Sequence, residues 1–262
     1  MNDAIFRNGI SSPLNKVFAA VLLLCSGLAL SAESFQTVIQ TYTANQQNVK
    51  SFIGTGSLNV QIGATTASGK TTNVDSQIAI YMKYPNMFKL VTSGAANSIS
   101  IQKGDLLSQK LPGATGFVTS KVSATSDLYK KYFGYEESPW LKDVQIIEQA
   151  TVDDAQGKLT EFALKPPSAT ATTAAQAGKS DQVIDRVELY FNTDDMLVRS
   201  ISKAQEKTLV TTNLTYEKIG TIWVAKTIST TMAVGEAQIA STIQYNSLSL
   251  NVSVSDHEFD VK

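Results

Sequence analysis

The feature that most constrains the fold is a series of segments in which apolar and polar residues alternate, joined by very short turns. In the last third of the chain these segments are residues 182–191, 197–205, 209–218, 221–234, 237–245 and 248–254. Strict alternation predicts β-strands with one covered face and one solvated face. The turns between them, including a predicted hairpin turn at residues 246–247, are too short for parallel crossovers. The strands are therefore expected to be antiparallel neighbours.

The first two thirds of the chain repeat this pattern. The predicted strands here are residues 55–62, 74–84, 87–93, 98–102, 106–111, 116–122, 144–151 and 159–165. Together with the last third, these fourteen candidate segments are expected to give about ten to twelve strands. An open sheet of that size normally curls, splits or closes. We therefore expect a mainly β chain of the α+β class, with a single large curved antiparallel sheet.

Three other segments depart from the strand pattern. Residues 34–50 have apolar residues at helical spacing, and Ser34 can cap the N-terminus of that helix. A second short helix and a loop are predicted within residues 124–142. Residues 166–180 are small and almost uncharged, which predicts a flexible loop inside one domain. The tail at residues 257–262 is expected to add a final short strand.

The N-terminus has the pattern of a secretory signal peptide. Residues 17–30 are almost wholly apolar, follow a basic segment and end at the small residues Ser31 and Ala32. The apolar run is short for a membrane-spanning helix, which needs roughly 20 residues. We expect residues 1–32 to be removed by cleavage near Ser31 or Ala32; an uncleaved anchor is the alternative.

Cysteine usage narrows the compartment further. Cys25 is the only cysteine of the 262 residues and follows Leu24, whereas a lipidated cysteine follows a small residue. The mature chain is then free of cysteine, which excludes disulfides and thiolate sites. Extracellular eukaryotic domains of this size usually carry disulfides, so a bacterial periplasmic protein is favoured. Residues 33–262 are expected to form one domain.

The residues that usually carry chemistry are scarce. His257 is the only histidine, and the paired acids at residues 136–137, 153–154 and 194–195 lie in or near predicted turns. No phosphate-binding loop or nucleophile-elbow motif is present. We therefore predict no catalytic residues, no metal site and no cofactor, with a hydrolase of unrecognised site as a remaining alternative. No basic stripe is available for nucleic acid.

A family resemblance adds to this interpretation. Residues 80–90 (IYMKYPNMFKL) resemble the strand–Lys-x-Pro-Asn-x-Phe–strand segment of the periplasmic lipoprotein carrier LolA. Residues 98–113 resemble that family's next hairpin, and residues 239–261 resemble its C-terminal strand, Asn and final Phe. The specific part covers about thirty residues, so the chain resembles a distant member of the LolA/LolB/LppX-like superfamily.

The resemblance implies an unclosed antiparallel β-barrel whose hollow is covered by helices and holds acyl chains. The residues that this resemblance and the strand alternation place in the cavity are Ile78, Ile80, Met82, Tyr84, Phe88 and Leu90. From periodicity alone, the alternative is a dry core filled by these same side chains. The lid helices are expected around Tyr42 and Tyr132. In the carrier, an Arg just before the Pro hydrogen-bonds to the lid and holds the empty state closed. Tyr84 stands at that position and lacks the donor fork of arginine, so the release switch can differ here.

The resulting hypothesis is a non-catalytic periplasmic carrier or binding protein for lipids or lipoprotein acyl chains, transferring them towards the outer membrane. Its expected partners are the lipid or acylated lipoprotein, an inner-membrane transporter and an outer-membrane acceptor. Contact with membrane surfaces is expected to be transient, and the protein to be a monomer. The alternative is a periplasmic sensor domain of the same fold that binds an envelope-stress partner.

Overall fold

The structure is a computed structural model that describes residues 34–64, 71–95, 97–122, 144–166, 183–234 and 237–261. The chain divides into two compact units, residues 1–38 and residues 39–262. In the first unit, the described residues are 34–38, which open the first helix. The second unit contains the rest of that helix and all the strands. The predicted signal peptide, the whole predicted helix and loop at 124–142 and almost all of the loop at 166–180 lie outside the described residues.

The predicted N-terminal helix is confirmed as α1, Phe35–Gln47. Its start is capped as expected, because the Ser34 hydroxyl accepts a hydrogen bond from the Thr37 backbone N–H at 3.2 Å. At its end, the Val49 N–H donates to the Gln46 carbonyl at 3.0 Å, which turns the chain towards the sheet. Among the described residues, no helix is long and apolar enough to span a membrane.

Within the described ranges, thirteen strands follow the helix. They are β1 (Ser51–Ala64), β2 (Thr72–Lys83), β3 (Met87–Gly94), β4 (Ser98–Lys103), β5 (Leu106–Lys110), β6 (Val118–Lys121), β7 (Gln145–Asp154), β8 (Gly157–Lys165), β9 (Arg186–Phe191), β10 (Leu197–Ala204), β11 (Lys207–Ile219), β12 (Ile222–Val234) and β13 (Ala237–Leu250). Each predicted strand except the C-terminal tail has a counterpart, with the predicted strands 237–245 and 248–254 joined in β13, and most other boundaries agree within a few residues. The count exceeds the expected ten to twelve.

All thirteen strands form one antiparallel sheet. Its order is β6-β5-β4-β3-β2-β1-β13-β12-β11-β10-β9-β8-β7. Every neighbouring pair is consecutive in the chain except β1 and β13, which meet in the middle of the sheet. The strands β6 and β7 form its two edges and are not hydrogen-bonded to each other, so the sheet is not closed into a barrel. The predicted single large antiparallel sheet is thus confirmed.

The predicted hairpin turn at residues 246–247 is wrong, because β13 runs through it without a break. Thr55 of β1 pairs with Ser247, and Gly56 pairs with Tyr245, so Asn246 has no partner on β1. The extra residue is accommodated as a β-bulge. Two polar residues in sequence resemble a turn, but continuous pairing with the 14-residue strand β1 keeps this segment extended.

Alternation along the strands defines two faces of the sheet. We call the face that carries Phe52, Ile80, Phe88 and Tyr245 the inner face, since these side chains belong to one buried cluster. The opposite side is the outer face. Side chains of residues two apart on a strand share a face, so the register assigns every paired residue to one of the two.

The C-terminal tail, predicted as a strand, instead forms a 3-10 turn at Asp256–Phe259. Asn251, at a φ of +52°, ends the extended path, and its side chain accepts a hydrogen bond from the Lys50 N–H at 2.7 Å. Beyond it, Val254 and Phe259 are buried in a cluster with Ile101 on the outer face. The tail therefore covers the outer face and extends neither edge of the sheet.

Candidate ligand-binding face

The helix α1 is anchored to the sheet by one asparagine. The Asn45 Nδ2 donates to the Trp223 carbonyl at 2.8 Å, and the Trp223 N–H donates to the Asn45 Oδ1 at 2.9 Å. The side-chain amide therefore makes both hydrogen bonds that a neighbouring strand would make with Trp223. This fixes the last turns of α1 over the start of β12.

Two further contacts hold the same part of the helix. The predicted lid residue Tyr42 is half-buried and packs edge-to-face on Phe191 of β9, with ring centroids 6.2 Å apart. Partial burial raises the pKa of Asp195, opposed by a side-chain hydrogen bond from Thr41. The second predicted lid residue, Tyr132, lies outside the described residues.

Beneath this end of the sheet, the inner face is filled by side chains. We call this cluster the packed zone; it comprises Val49, Phe52, Ile78, Ile80, Met82, Phe88, Ile222, Val224 and Tyr245. Of the predicted cavity residues, Ile80, Met82 and Phe88 are 0% exposed and Ile78 is 4% exposed. Leu90 is partly buried against the margin of the cluster. The structure therefore brings five of the six predicted residues together.

Two glycines of β1 shape the packed zone. A Cβ on Gly54 would lie 2.6 Å from the Phe52 ring and 3.0 Å from the Tyr245 ring, and a Cβ on Gly56 would collide with the Gln244 carbonyl oxygen. The missing side chain of Gly54 lets Phe52 and Tyr245 pack edge-to-face, with ring centroids 5.6 Å apart, and that of Gly56 lets the backbone of β13 approach closely. The aromatic rings thus fill the space that a side chain at residue 54 of β1 would need.

Tyr84 does not join the cluster, contrary to the expectation that it lies with Met82 on the inner face. It is 56% exposed, and the Lys50 ammonium lies 5.0 Å from the centre of its ring. The reason is that β2 ends at Lys83 and a turn begins at Tyr84, so strand alternation no longer decides where the side chain points. Together with Lys50, Lys83 and Asn251, it lines a shallow pocket of about 480 Å³ near the start of the C-terminal tail.

Further along β1 and β11–β13, the inner face is apolar but only half-buried. We call this the open zone; its residues are Leu58, Val60, Ile62, Val210, Leu214, Ile228, Met232, Ile239 and Ile243. Ile62 is 44% exposed, and Leu58 and Ile243 border the packed zone. Alternation within β1 predicts one face for Leu58, Val60 and Ile62, and the register adds the residues of β11–β13. The predicted cavity residues include none of them because the family motif lies elsewhere.

The outer face carries ionic contacts. In one half of the sheet, Glu188 is buried and accepts hydrogen bonds from Lys203 Nζ at 2.7 Å, Arg186 Nε at 2.8 Å and Tyr190 Oη at 3.2 Å. Burial would raise the pKa of Glu188, but hydrogen bonds and charge from Lys203 and Arg186 outweigh it and lower that pKa. Burial of Tyr190 itself, together with the negative charges of Glu161 and Glu188, raises the pKa of Tyr190.

In the other half, three lysines hold the C-terminal tail. Lys83 pairs with Asp256, Lys89 with Glu258 at 3.2 Å and Lys103 with Asp260 at 2.6 Å. His257, the only histidine, is exposed and its Nδ1 lies 3.0 Å from an Asp260 carboxylate oxygen. The described partner of the His257 ring is therefore the Asp260 carboxylate, which also pairs with Lys103, and not a nucleophilic side chain. Within the described ranges, no group of three or more His, Cys, Asp or Glu side chains is placed to hold a metal.

Three solved structures have a fold similar to that of this chain. A DUF1329 family protein from Desulfovibrio piger superposes with a TM-score of 0.52 and 12% identity, covering 86% of this chain and 96% of that chain. A LolA superfamily protein from Nitrosomonas europaea gives 0.52 and 13%, covering 87% and 98%. A domain described as an outer membrane lipoprotein-sorting protein domain from Vibrio parahaemolyticus gives 0.50 and 9%, covering 85% and 94%.

At these identities the similarity shows the fold. The chain therefore has the LolA-type fold, as the resemblance of residues 80–90 predicted. No protein-family model matches the sequence, and no curated protein matches it.

Proposed function

We propose that the protein is a non-catalytic periplasmic carrier or binding protein that holds lipids or lipoprotein acyl chains on the inner face of its sheet. The observation that carries this proposal is the open zone, a set of aliphatic side chains on neighbouring strands that remain largely half-buried on a sheet of LolA-type fold. Covering such a surface with methylene groups gains about 0.8 kcal/mol for each group buried. An acyl chain supplies such groups in a row.

The two zones have different roles in this proposal. The open zone contacts the acyl chain, and Leu58 and Ile243 mark where it meets the packed zone, whereas Leu90 lies at the margin of the packed zone on β3. Ile78, Ile80, Met82 and Phe88 form the closed end of the site, and α1 around Tyr42 forms its lid. The Asn45–Trp223 hydrogen bonds hold this lid at the packed end. Tyr84 lies outside the site.

The first experiment is native mass spectrometry, with solvent extraction, of the mature protein purified from its own periplasm. A bound mass that corresponds to a lipid or an acylated protein supports the proposal and identifies the cargo. A clean apo mass, combined with no uptake of a fluorescent acyl probe, would overturn it and favour the sensor alternative.

Substitutions on one strand test which face binds. Met232 points to the inner face, and its neighbour Thr231 points to the outer face. Met232→Glu is expected to abolish binding of a fluorescent acyl probe, because the ligand would have to desolvate a carboxylate. Thr231→Glu is the matched control, with the same charge on the same strand, and is expected to bind normally. Equal loss in both variants would place the binding surface elsewhere.

Localisation and partners follow from the same proposal. The predicted signal peptide places the mature chain in the periplasm, where an inner-membrane transporter would load it and an outer-membrane acceptor would unload it. We expect N-terminal sequencing of the exported chain to start just after Ser31 or Ala32. A chain that keeps residues 1–32 and fractionates with the inner membrane would contradict this part of the proposal.

A further inference from the structure

A row of four hydroxyl side chains crosses the inner face. Ser200 of β10 lies opposite Thr212 of β11, Thr212 lies opposite Thr230 of β12, and Thr230 lies opposite Ser241 of β13. We call these four residues the hydroxyl row. Because neighbouring strands are about 4.8 Å apart, the row extends over about 14 Å, perpendicular to the strands.

Aliphatic rows lie on both sides of the hydroxyl row. On the side of the packed zone are Leu214, Ile228 and Ile243, and on the far side are Val210, Met232 and Ile239. Each aliphatic row is two residues away along the strands, or about 7 Å. The open zone and the hydroxyl row together therefore present an apolar, polar, apolar pattern along the strand direction.

The hydroxyls of this row are only partly satisfied within the protein. Thr212 Oγ1 and Thr230 Oγ1 are 3.2 Å apart and share one hydrogen bond. Among the described residues, Ser200 and Ser241 make no side-chain hydrogen bond, and all four side chains are half-buried. A ligand that covers this surface removes water from the four hydroxyls, and each hydroxyl then needs an acceptor or donor from the ligand.

We infer that the inner face recognises acyl ligands through a carbonyl-bearing linkage, an ester or amide, positioned over the hydroxyl row with apolar arms on both sides. This inference rests on the proposed function and names the class of ligand that the same site takes. A ligand without such a linkage would leave the hydroxyls desolvated and unpaired, which costs affinity. The hydroxyl row is therefore a specificity determinant of the open zone.

The test uses two glycerides that differ only in the linkage. Dioctanoylglycerol carries two ester carbonyls, and dioctylglycerol replaces them with ethers. The affinity of each glyceride is measured by its ability to displace a fluorescent acyl probe from the mature protein. We expect the wild-type protein to bind the diester about tenfold more tightly than the diether, as one or two additional hydrogen bonds would provide.

The double variant Thr212→Val/Thr230→Val removes two hydroxyls with almost no change of shape. We expect it to bind both glycerides within about twofold of each other, with the loss confined to the diester. The control is Ser229→Ala/Thr242→Val, which removes a hydroxyl pair 3.2 Å apart on the outer face of β12 and β13. This control is expected to keep the preference for the diester.

The outcomes separate this inference from the function on which it rests. If the wild-type protein takes up the acyl probe but binds the two glycerides equally, or if Thr212→Val/Thr230→Val keeps the preference, the hydroxyl row does not read the linkage. If the wild-type protein takes up neither probe nor glyceride, the proposed function fails and the inference fails with it.

Discussion

The packed zone and the open zone share one face and several strands, yet differ in how completely they are filled. Along β1, Phe52 is almost fully buried, whereas Ile62 is 44% exposed. Along β12, Val224 is buried, whereas Met232 is half-buried. The packed end has aromatic rings on β1, β3 and β13 and an anchored helix above β12. The open end has aliphatic and hydroxyl side chains. Alternation thus identifies a covered face but does not say what covers it.

The largest expected effect is the loss of a packed aromatic ring. Phe88 is fully buried within the packed zone, so Phe88→Ala is expected to lower the free energy of unfolding by about 3–5 kcal/mol. Met232→Ala, at a half-buried position of the open zone, is expected to lower it by about 1 kcal/mol or less. Urea denaturation of both variants measures the contrast. Similar losses would mean that the two zones are equally packed.

An intermediate effect is expected from the anchor of the helix. Asn45→Ala removes both hydrogen bonds to the backbone of Trp223 and is expected to cost about 1–3 kcal/mol of unfolding free energy. Gln47→Ala, at an exposed position of the same helix, is the control and should cost little. Hydrogen exchange of the Trp223 amide gives a local measure. Unchanged protection of that amide in Asn45→Ala would show that the helix is held by other contacts.

The smallest expected effect on stability comes from the Lys103–Asp260 ion pair on the outer face. It is the reference against which the two zones of the inner face are compared. The hydrogen bonds from Lys103 and His257 lower the pKa of Asp260 to about 2. Because the folded state favours the charged carboxylate, its contribution to stability is present above about pH 4 and is lost as the pH falls towards 2. An exposed ion pair of this kind contributes little at neutral pH.

Lys103→Met tests that baseline. NMR titration is expected to show the pKa of Asp260 rising towards its ordinary value, while acyl-probe binding stays unchanged because the tail lies on the outer face. Lys121→Met on β6 is the control and should leave the pKa of Asp260 where it is. A change in acyl-probe binding on Lys103→Met would mean that the two faces are coupled.

The predicted cavity residues show how far local patterns are informative. Alternation on β2 predicts one face for Ile78, Ile80 and Met82, the family resemblance adds Phe88, and the structure places the four together. Alternation also puts Tyr84 on that face, but the strand ends before it. The open zone lies outside the family motif, and the meeting of its β1 and β13 residues follows from the pairing of two strands that are separated by most of the chain.

Local spacing and short turns are enough to specify the strand periodicity, the N-terminal helix with its Ser34 cap and the antiparallel order of consecutive strands. Long-range pairing and packing account for the meeting of β1 and β13 in the centre, the bulge at residue 246 and the position of the C-terminal tail on the outer face. They also account for which part of the inner face is filled. These features depend on pairing and packing between distant segments, for which local sequence patterns carry no distance information.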